Sequence, residues 1–302
     1  MRIMSQRILV TGGNGYIGSH IIKYYLGKGC VVDSLDVGVI DNNNSANYYS
    51  IDITKRYKLS ILKSSYDIII HCAGSPSVPN SVKEPLLDFK INVEGALNML
   101  QYAKESESKF IFLSTVSIFD TLNKLPLNEN SIKKVTSPYG AAKLSAEAYC
   151  QAYYRTFGTD TRIARIFNTY GPGMKHLFVS DMIKKIKNSK NQIILGGSGN
   201  QIRDYVYISD LIQALDIIIN KGSPGEDYNI CSGKKVSLLK ITNILLDKMG
   251  RKDLTISCDG KSYPGDIKEW YGKPEKLRKL GFNTEYTIEE GLEETINSKG
   301  IE

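Results

Sequence analysis

The sequence contains few of the side chains that build metal sites and disulfide frameworks. Its 302 residues include three histidines and five cysteines, with neither an HExxH nor a CxxC motif. An odd number of widely spaced cysteines favours reduced, structural thiols over a disulfide framework, and the same pattern argues against a zinc site. We therefore expect no bound metal.

Long apolar runs are also missing. No stretch reaches the roughly 18–20 apolar residues that a membrane span needs, and the amino terminus has no apolar signal-peptide core. These absences predict a cytoplasmic protein with no membrane partner.

The formal net charge is +7, but the Lys and Arg residues are scattered and form no basic stripe, so nucleic acid is not expected as a partner. Some of these cations are available to hold an anionic ligand such as a diphosphate.

Short apolar strands alternate with helices through the first half of the chain. The predicted strands are 7–11, 31–36, 47–52, 67–71, 110–115 and 162–167, and the main predicted helices are 18–27, 85–103 and 138–157. This alternation predicts an α/β fold with a Rossmann-type, doubly wound parallel sheet. Further turns and helices follow residue 171. We predict an NAD-binding domain over 1–170 and a smaller α/β substrate-binding cap over 171–302, some of whose segments return to the first domain.

The turn after the first predicted strand is rich in glycine. It reads TGGNGYIG from Thr11 to Gly18, with GxGxxG starting at Gly13 and GxxGxxG at Gly12. Such glycines let a pyrophosphate approach the backbone, and the helix that follows offers its free N–H groups. Asp36 ends the second strand. A carboxylate there accepts hydrogen bonds from ribose hydroxyls and repels a 2′-phosphate, which favours NAD over NADP.

A YxxxK pair, Tyr139 and Lys143, lies on a predicted helix. The two side chains share one helix face, and an ammonium beside a phenol is expected to lower the tyrosine pKa toward neutrality. The phenolate could then take a proton from a sugar hydroxyl. Because Tyr24 and Lys28 form a second such pair, position must distinguish them. The hydroxyl-rich run 114–117 closes the fifth strand at the sheet edge where ligands bind, which favours the first pair.

In order and spacing, these motifs resemble the extended short-chain dehydrogenase/reductases of the NAD-dependent epimerase/dehydratase family. The resemblance covers residues 8 to 282 approximately. The matching pieces are TGGNGYIG (11–18), Asp36, Asp52-Ile53, HCAG (71–74), Asn92 with Gly95, ST (114–115), YGAAK (139–143), RIFNTYGPG (165–173), GNQIRDYVYISD (199–210) and PGD (264–266).

The resemblance implies roles for the matching positions. Thr115, Tyr139 and Lys143 would form the catalytic set, with Lys143 also holding the nicotinamide ribose. The cofactor would contact Gly12, Gly15, Tyr16, Ile17, Gly18, Asp36, Asp52, Ile53, Ala73, Gly74, Asn92, Ser114 and Phe167, besides Tyr139 and Lys143. Asn168 and Arg203 would contact the sugar diphosphate, and Ser117, His176 and Asp266 are further candidates for substrate contact. Family members usually pair through two helices, here 86–103 and 139–157, so a homodimer is expected.

Two residues after the predicted catalytic threonine depart from part of the family. Dehydratases and decarboxylases commonly carry acids at these positions, where this sequence has Val116 and Ser117. Elimination of water needs an acid and a base, so a 4,6-dehydratase is disfavoured. Two further positions depart from the family pattern. Tyr263 stands where many relatives carry an arginine that holds the nucleotide phosphate, and Gly196 stands near where relatives often place an aromatic residue against the base. The sequence therefore does not identify the nucleotide base.

The predicted function is NAD-dependent epimerisation of a nucleotide-diphosphate sugar, at C4 through a 4-keto intermediate. An NAD(P)H-dependent reductase of a nucleotide-linked 4-keto sugar is the alternative, because the same three residues could donate a proton. A non-catalytic NAD-binding protein on the same fold is a third hypothesis.

Overall fold

A computed structural model of the chain describes residues 6–38, 44–62, 65–261 and 267–298. The strands are β1 (Arg7–Thr11), β2 (Val31–Asp36), β3 (Tyr48–Ser50), β4 (Ile68–His71), β5 (Lys109–Thr115), β6 (Thr161–Ile166), β7 (Asn168–Tyr170), β8 (Gln192–Leu195), β9 (Ile202–Arg203), β10 (Tyr205–Tyr207), β11 (Asp227–Ile230), β12 (Val236–Ser237), β13 (Thr255–Cys258) and β14 (Glu269–Trp270). The helices are α1 (Tyr16–Gly27), α2 (Val78–Lys83), α3 (Pro85–Phe89), α4 (Gly95–Glu105), α5 (Pro138–Phe157), α6 (Phe178–Asn188), α7 (Ile208–Lys221), α8 (Leu238–Lys248), α9 (Glu275–Arg278) and α10 (Ile288–Asn297).

The chain forms two compact units. The first comprises Met1–Asp120, Ile132–Ile166 and Leu215–Tyr228, and the second comprises Thr121–Ser131, Phe167–Ala214 and Asn229–Glu302.

A seven-stranded sheet organises the first unit, with the strand order β11-β6-β5-β4-β1-β2-β3. Every pair from β6 through β3 is parallel. Ile8, Leu9 and Val10 of β1 are fully buried, as expected for a strand covered by helices on both faces of the sheet. The predicted α/β class and Rossmann-type parallel sheet are therefore confirmed.

Helix α5 lies in the first unit, and residues that favour helix ends stand at both of its termini. The Ser137 hydroxyl accepts a hydrogen bond from the Gly140 N–H at 3.1 Å, Pro138 occupies the first turn, and Gly158 ends the helix with a φ of 71°. A serine cap, an early proline and a left-handed terminal glycine are each favoured at these places.

The helix predicted over 85–103 is not a regular α-helix. It consists of α3, a π-helical turn over Lys90–Glu94, and α4, which follow one another without a break. A π turn inserts an extra residue into the helix and is often found at functional sites.

The described residues of the second unit form three small sheets. β7 pairs in parallel with β10, β8 pairs in parallel with β13, and β9 lies between β12 and β14. Helices α6 and α8 pack on each other, as do α8 and α10. Among the described residues, no helix combines the length and the apolar character required for a membrane crossing.

Candidate functional site

The glycine turn after β1 is closed against the end of β4. Gly12 has a φ of +69°, and a Cβ placed on it would lie 2.7 Å from the backbone nitrogen of Ala73. The Gly12 N–H donates to the Leu35 carbonyl at 2.7 Å. Gly18 packs against the carbonyl of Gly12. A side chain at residue 12 would therefore be strained and would also push the two segments apart.

Helix α1 starts directly at this turn. Its N-cap is Gly15, no side chain caps the helix, and no acidic residue lies in the first turn, which holds Tyr16 and Ile17. A helix start that has no side-chain cap and carries a partial positive charge suits an anion such as a dinucleotide diphosphate. The residues at the turn thus fit the predicted cofactor.

Asp36 is tied to the same turn. Its carboxylate accepts hydrogen bonds from the Asn14 N–H at 2.9 Å and from the Val37 N–H at 2.7 Å. Because a carboxylate offers about four acceptor positions, two of them stay available for ribose hydroxyls. The contact of Asp36 with the ribose stays a prediction.

The two residues predicted to flank the adenine differ in exposure. Ile53 is 4% exposed and packs against Gly95, so its side chain belongs mainly to the core. Asp52 is half-buried, and its Oδ1 accepts a hydrogen bond from the Thr54 N–H at 2.9 Å. Their contact with adenine stays a prediction.

The start of the loop after β4 is anchored by Thr11 and His71. The Thr11 hydroxyl accepts from the Ala73 N–H at 3.2 Å and lies 2.8 Å from His71 Nδ1. His71 is buried between the rings of Phe110 and Phe112, and burial lowers its pKa to about 3. The histidine is therefore neutral and structural.

Asn92, in the π turn, holds the next part of this loop. Its Oδ1 accepts from the Ser75 N–H at 3.0 Å, and its Nδ2 donates to the Ser75 carbonyl at 3.1 Å and to Asp88 Oδ1 at 2.9 Å. The amide thus fixes the segment that contains Ala73 and Gly74.

Ser114, also predicted to bind the cofactor, has a buried hydroxyl with no partner among the described residues, as a ligand contact would require.

The predicted catalytic residues lie together where β5 ends and α5 begins. The Thr115 hydroxyl donates to the Ser117 hydroxyl and accepts from the Ser117 N–H, both at 3.2 Å. The Thr115 side chain is also close enough to Tyr139 to affect the ionisation of its phenol. Lys143 lies one turn further along α5 and is 7% exposed. Its Nζ is 4.3 Å from the centroid of the Phe112 ring.

The expected lowering of the tyrosine pKa is wrong. Burial raises the pKa of Tyr139 to about 12, and its interaction with the Thr115 side chain offsets only part of this effect. Burial also lowers the pKa of Lys143 to about 8, against the negative charge of Glu147, which raises it. Loss of hydration therefore outweighs the attraction that the YxxxK spacing suggests.

Among the predicted substrate residues, Ser117 lies in the first unit, whereas Asn168, His176 and Arg203 lie in the second. Asn168 donates to the Asp204 carbonyl at 3.1 Å, and Arg203 donates to the carbonyls of Ile202 at 2.8 Å and Ile267 at 2.7 Å. His176 is exposed in the loop before α6. Phe167, predicted to contact the cofactor, also lies in this unit and is 3% exposed. Asp266 and the rest of the PGD motif lie outside the described residues.

One organising residue, Asp204, was not predicted. Its carboxylate is fully buried and accepts from the Ser232 N–H at 2.8 Å, the Ser232 hydroxyl at 2.6 Å, the Gly233 N–H at 2.9 Å and the Gly272 N–H at 3.2 Å. It fixes the strand end beside Arg203. Its position inside the RDY motif was the only signal, because its donors are distant in sequence.

Comparison with known proteins gives a consistent result. The sequence model of the "NAD dependent epimerase/dehydratase family" matches residues 8–231. The putative UDP-glucose 4-epimerase of Methanocaldococcus jannaschii is 32% identical over 301 residues, covering 96% of this chain and 97% of that protein.

Two solved structures that are similar to this chain are an epimerase and a dehydratase. The UDP-N-acetylglucosamine 4-epimerase of Methanobrevibacter ruminantium M1, in complex with UDP-N-acetylmuramic acid, is 27% identical with a TM-score of 0.89, and 97% of each chain is covered. DesIV, the dTDP-glucose 4,6-dehydratase of Streptomyces venezuelae with NAD and TYD bound, is 26% identical with a TM-score of 0.84, and 96% of this chain and 95% of that chain are covered.

The family is NAD dependent, so the prediction of an NAD cofactor is confirmed at that level. The match spans the glycine turn, the YxxxK pair and the RDY motif, and relatives with either activity align over nearly the whole chain. The chain is therefore an enzyme of the NAD dependent epimerase/dehydratase family, as its motifs predict.

Proposed function

We propose that this enzyme is a nucleotide-diphosphate-sugar 4-epimerase that works through a 4-keto intermediate. The observation that carries the proposal is the buried Thr115–Tyr139–Lys143 set, followed by two residues without a carboxylate, Val116 and Ser117. These side chains can move one proton at a sugar hydroxyl. They offer no second acid or base for elimination of water.

The chemistry divides between cofactor and protein. When bound by the glycine turn and Asp36, NAD would supply reversible hydride transfer at C4. Tyr139, as a phenolate, accepts the C4 hydroxyl proton while the C4–H bond breaks and the carbonyl forms. Thr115 holds the reacting oxygen beside the phenol, and the Lys143 ammonium stabilises the phenolate. After the keto sugar turns its other face, Tyr139 returns the proton, so each cycle leaves the cofactor unchanged.

We assign the two ligands to the two units. The glycine turn, Asp36 and the loop fixed by Asn92 would hold NAD in the first unit. Asn168, Arg203 and His176 would contact the nucleotide sugar in the second, where Arg203 supplies positive charge for the diphosphate. The two epimerase relatives carry UDP-sugars in their names, so UDP-hexoses are the first substrates to test.

The decisive experiment separates a self-regenerating cycle from a net reduction. The purified enzyme is incubated with UDP-glucose and with UDP-N-acetylglucosamine without added cofactor, and the C4 epimers are detected by NMR. We expect an equilibrium mixture of epimers to form. Formation of a 4-keto-6-deoxy sugar would instead identify a dehydratase. No reaction here, with stoichiometric NADPH or NADH consumption on a 4-keto-6-deoxy sugar, would identify the reductase.

We also propose that the enzyme is a homodimer. Helices α2, α3 and α5 expose Val82 by 63%, Leu86 by 84%, Phe89 by 55% and Phe157 by 50%. Helices α2 and α3 pack on each other and on α5, and large exposed apolar residues on adjoining helices favour a protein interface. A second copy of the same chain is the partner that the predicted pairing through helices 86–103 and 139–157 implies.

A further inference from the structure

One buried carboxylate near the catalytic set has no role in the mechanism above. Asp88 lies on α3 and is 3% exposed. Its Oδ1 accepts a hydrogen bond from Asn92, whereas its Oδ2 is buried and has no hydrogen-bond partner in the described part of the chain. A carboxylate that is buried and only half satisfied is costly, so its presence calls for an explanation.

The first link from Asp88 to the site is mechanical. Asp88 holds Asn92, which lies four residues later in the π turn, and Asn92 in turn holds Ser75 through both its N–H and its carbonyl. Ser75 directly follows Gly74, which packs on the Asn92 side chain, and Ala73, whose backbone closes on Gly12 of the glycine turn. A change at Asp88 would therefore reach the predicted nicotinamide side of the site through the π turn.

The second link is electrostatic, because α3 packs directly on α5. The negative charge of Asp88 raises the pKa of Tyr139, in the same direction as burial, and also raises the pKa of Lys143. Lys143 in turn pulls down the pKa of Asp88, as does the hydrogen bond from Asn92, whereas burial raises it. The other titratable groups that raise the pKa of Lys143 are Glu147, Cys72 and Cys150, and Lys143 itself lowers the pKa of the neighbouring His71.

We propose that Asp88 is a positioning residue of the catalytic set, whose buried negative charge acts on Tyr139 and Lys143 and whose hydrogen bond to Asn92 holds the loop over residues 73–75. Its effect on turnover rests on the function proposed above. Its effect on the ionisation of Tyr139 does not.

The variants Asp88→Asn and Asp88→Thr test this proposal in the full-length, NAD-loaded enzyme. Both keep an oxygen that can accept from Asn92, and both remove the charge, so either can serve if the other fails to fold. Because the negative charge raises the pKa of the phenol, its removal lets the phenolate form at lower pH. We expect the acidic limb of the kcat/KM profile to move down by about one pH unit. Asp216→Asn, which changes a carboxylate bonded to Tyr25 and Lys28, should leave the profile in place.

A substrate-free measurement separates this proposal from the function. Phenolate absorbance is titrated in the enzyme and in Tyr139→Phe, and their difference isolates Tyr139. The same pair is then compared on the Asp88→Asn background. A lower midpoint with Asp88→Asn supports the proposal even if no sugar substrate is turned over. Coincident midpoints in well-folded variants, or a shift of equal size with Asp216→Asn, would overturn it.

Discussion

The hydroxyl of Tyr139 and the ammonium of Lys143 are both deprived of water, and this shared burial decides how each behaves. Burial pushes the pKa of the phenol up to about 12 and that of the amine down to about 8. Each group is thereby moved toward its neutral form. The charges on which the reaction depends must therefore be favoured by the groups and ligands that adjoin the pair.

Replacing Tyr139 by Phe removes the proposed proton acceptor while it keeps the buried ring. We expect kcat to fall by about 10²–10⁴, the usual contribution of a positioned acid or base, with NAD affinity unchanged within a few fold. Steady-state assays and NAD titration by fluorescence measure both quantities. Tyr24→Phe is the matched control, because Tyr24 has the same YxxxK spacing and its ring lies under the Lys28 ammonium, with 4.5 Å between the Nζ and the ring centroid. Unchanged turnover in Tyr139→Phe would refute the assigned role.

Replacing Lys143 by Met should separate stability from activity. The folded-state pKa of Lys143 lies below the ordinary value of 10.5. Below about pH 8 the folded protein therefore buries a charge that the unfolded chain keeps in water, and this burial lowers the free energy of unfolding. A methionine avoids this cost, and we expect the free energy of unfolding at pH 7 to rise by about 1–3 kcal/mol while turnover is lost.

Urea denaturation at several pH values provides the check on Lys143→Met. The wild-type enzyme should gain stability as the pH rises from about 8 toward 10.5, because over this range the unfolded state binds the proton and the folded state does not. The variant should lack this gain. A variant that is less stable than the wild type at pH 7 would contradict the argument.

At the scale of elements, the strand, glycine turn and helix at the amino terminus are fixed by the close approach of two backbones. Gly12→Ala would add a methyl group 2.7 Å from the Ala73 nitrogen at a φ of +69°. We expect NAD affinity to fall at least tenfold and stability to fall by about 1–3 kcal/mol. Gly29→Ala is the control, since Gly29 also has a positive φ, +79°, but has no atom within 4 Å of the added carbon. Equal losses of NAD affinity in both variants would show that strain alone is responsible.

Sequence periodicity predicts regular elements well and departures from them poorly. Apolar runs, helix caps and glycine spacing predict the strands around the glycine turn and the helix with the YxxxK pair. They also predict the acid at the end of β2. The π turn does not, because its apolar residues continue the helical pattern and only the Asn92 hydrogen bonds reveal its use. Asp88 and Asp204 were likewise missed, since the burial of a carboxylate depends on partners that folding brings together.

At the scale of the whole molecule, the exposed apolar face on α2, α3 and α5 is the feature that a single chain leaves unexplained. If a second copy covers it, Leu86→Glu should place a charge in the contact and convert the dimer to a monomer. Light scattering coupled to gel filtration measures the mass. Leu122→Glu is the control, because Leu122 is equally exposed, at 84%, but lies in the other unit. A wild-type enzyme that elutes as a monomer at micromolar concentration would end the dimer proposal.

The path of the chain between the two units has a consequence for evolution and design. The boundaries fall at 120/121, 131/132, 166/167, 214/215 and 228/229, so each unit is assembled from three separate stretches. A gene fragment ending at residue 166 would lack Asp227, an ion-pair partner of the fully buried Arg165. Exchanging substrate preference between relatives by recombination would therefore require three coordinated transfers. Any single crossover within this architecture would yield a hybrid in which at least one unit is drawn from both parents.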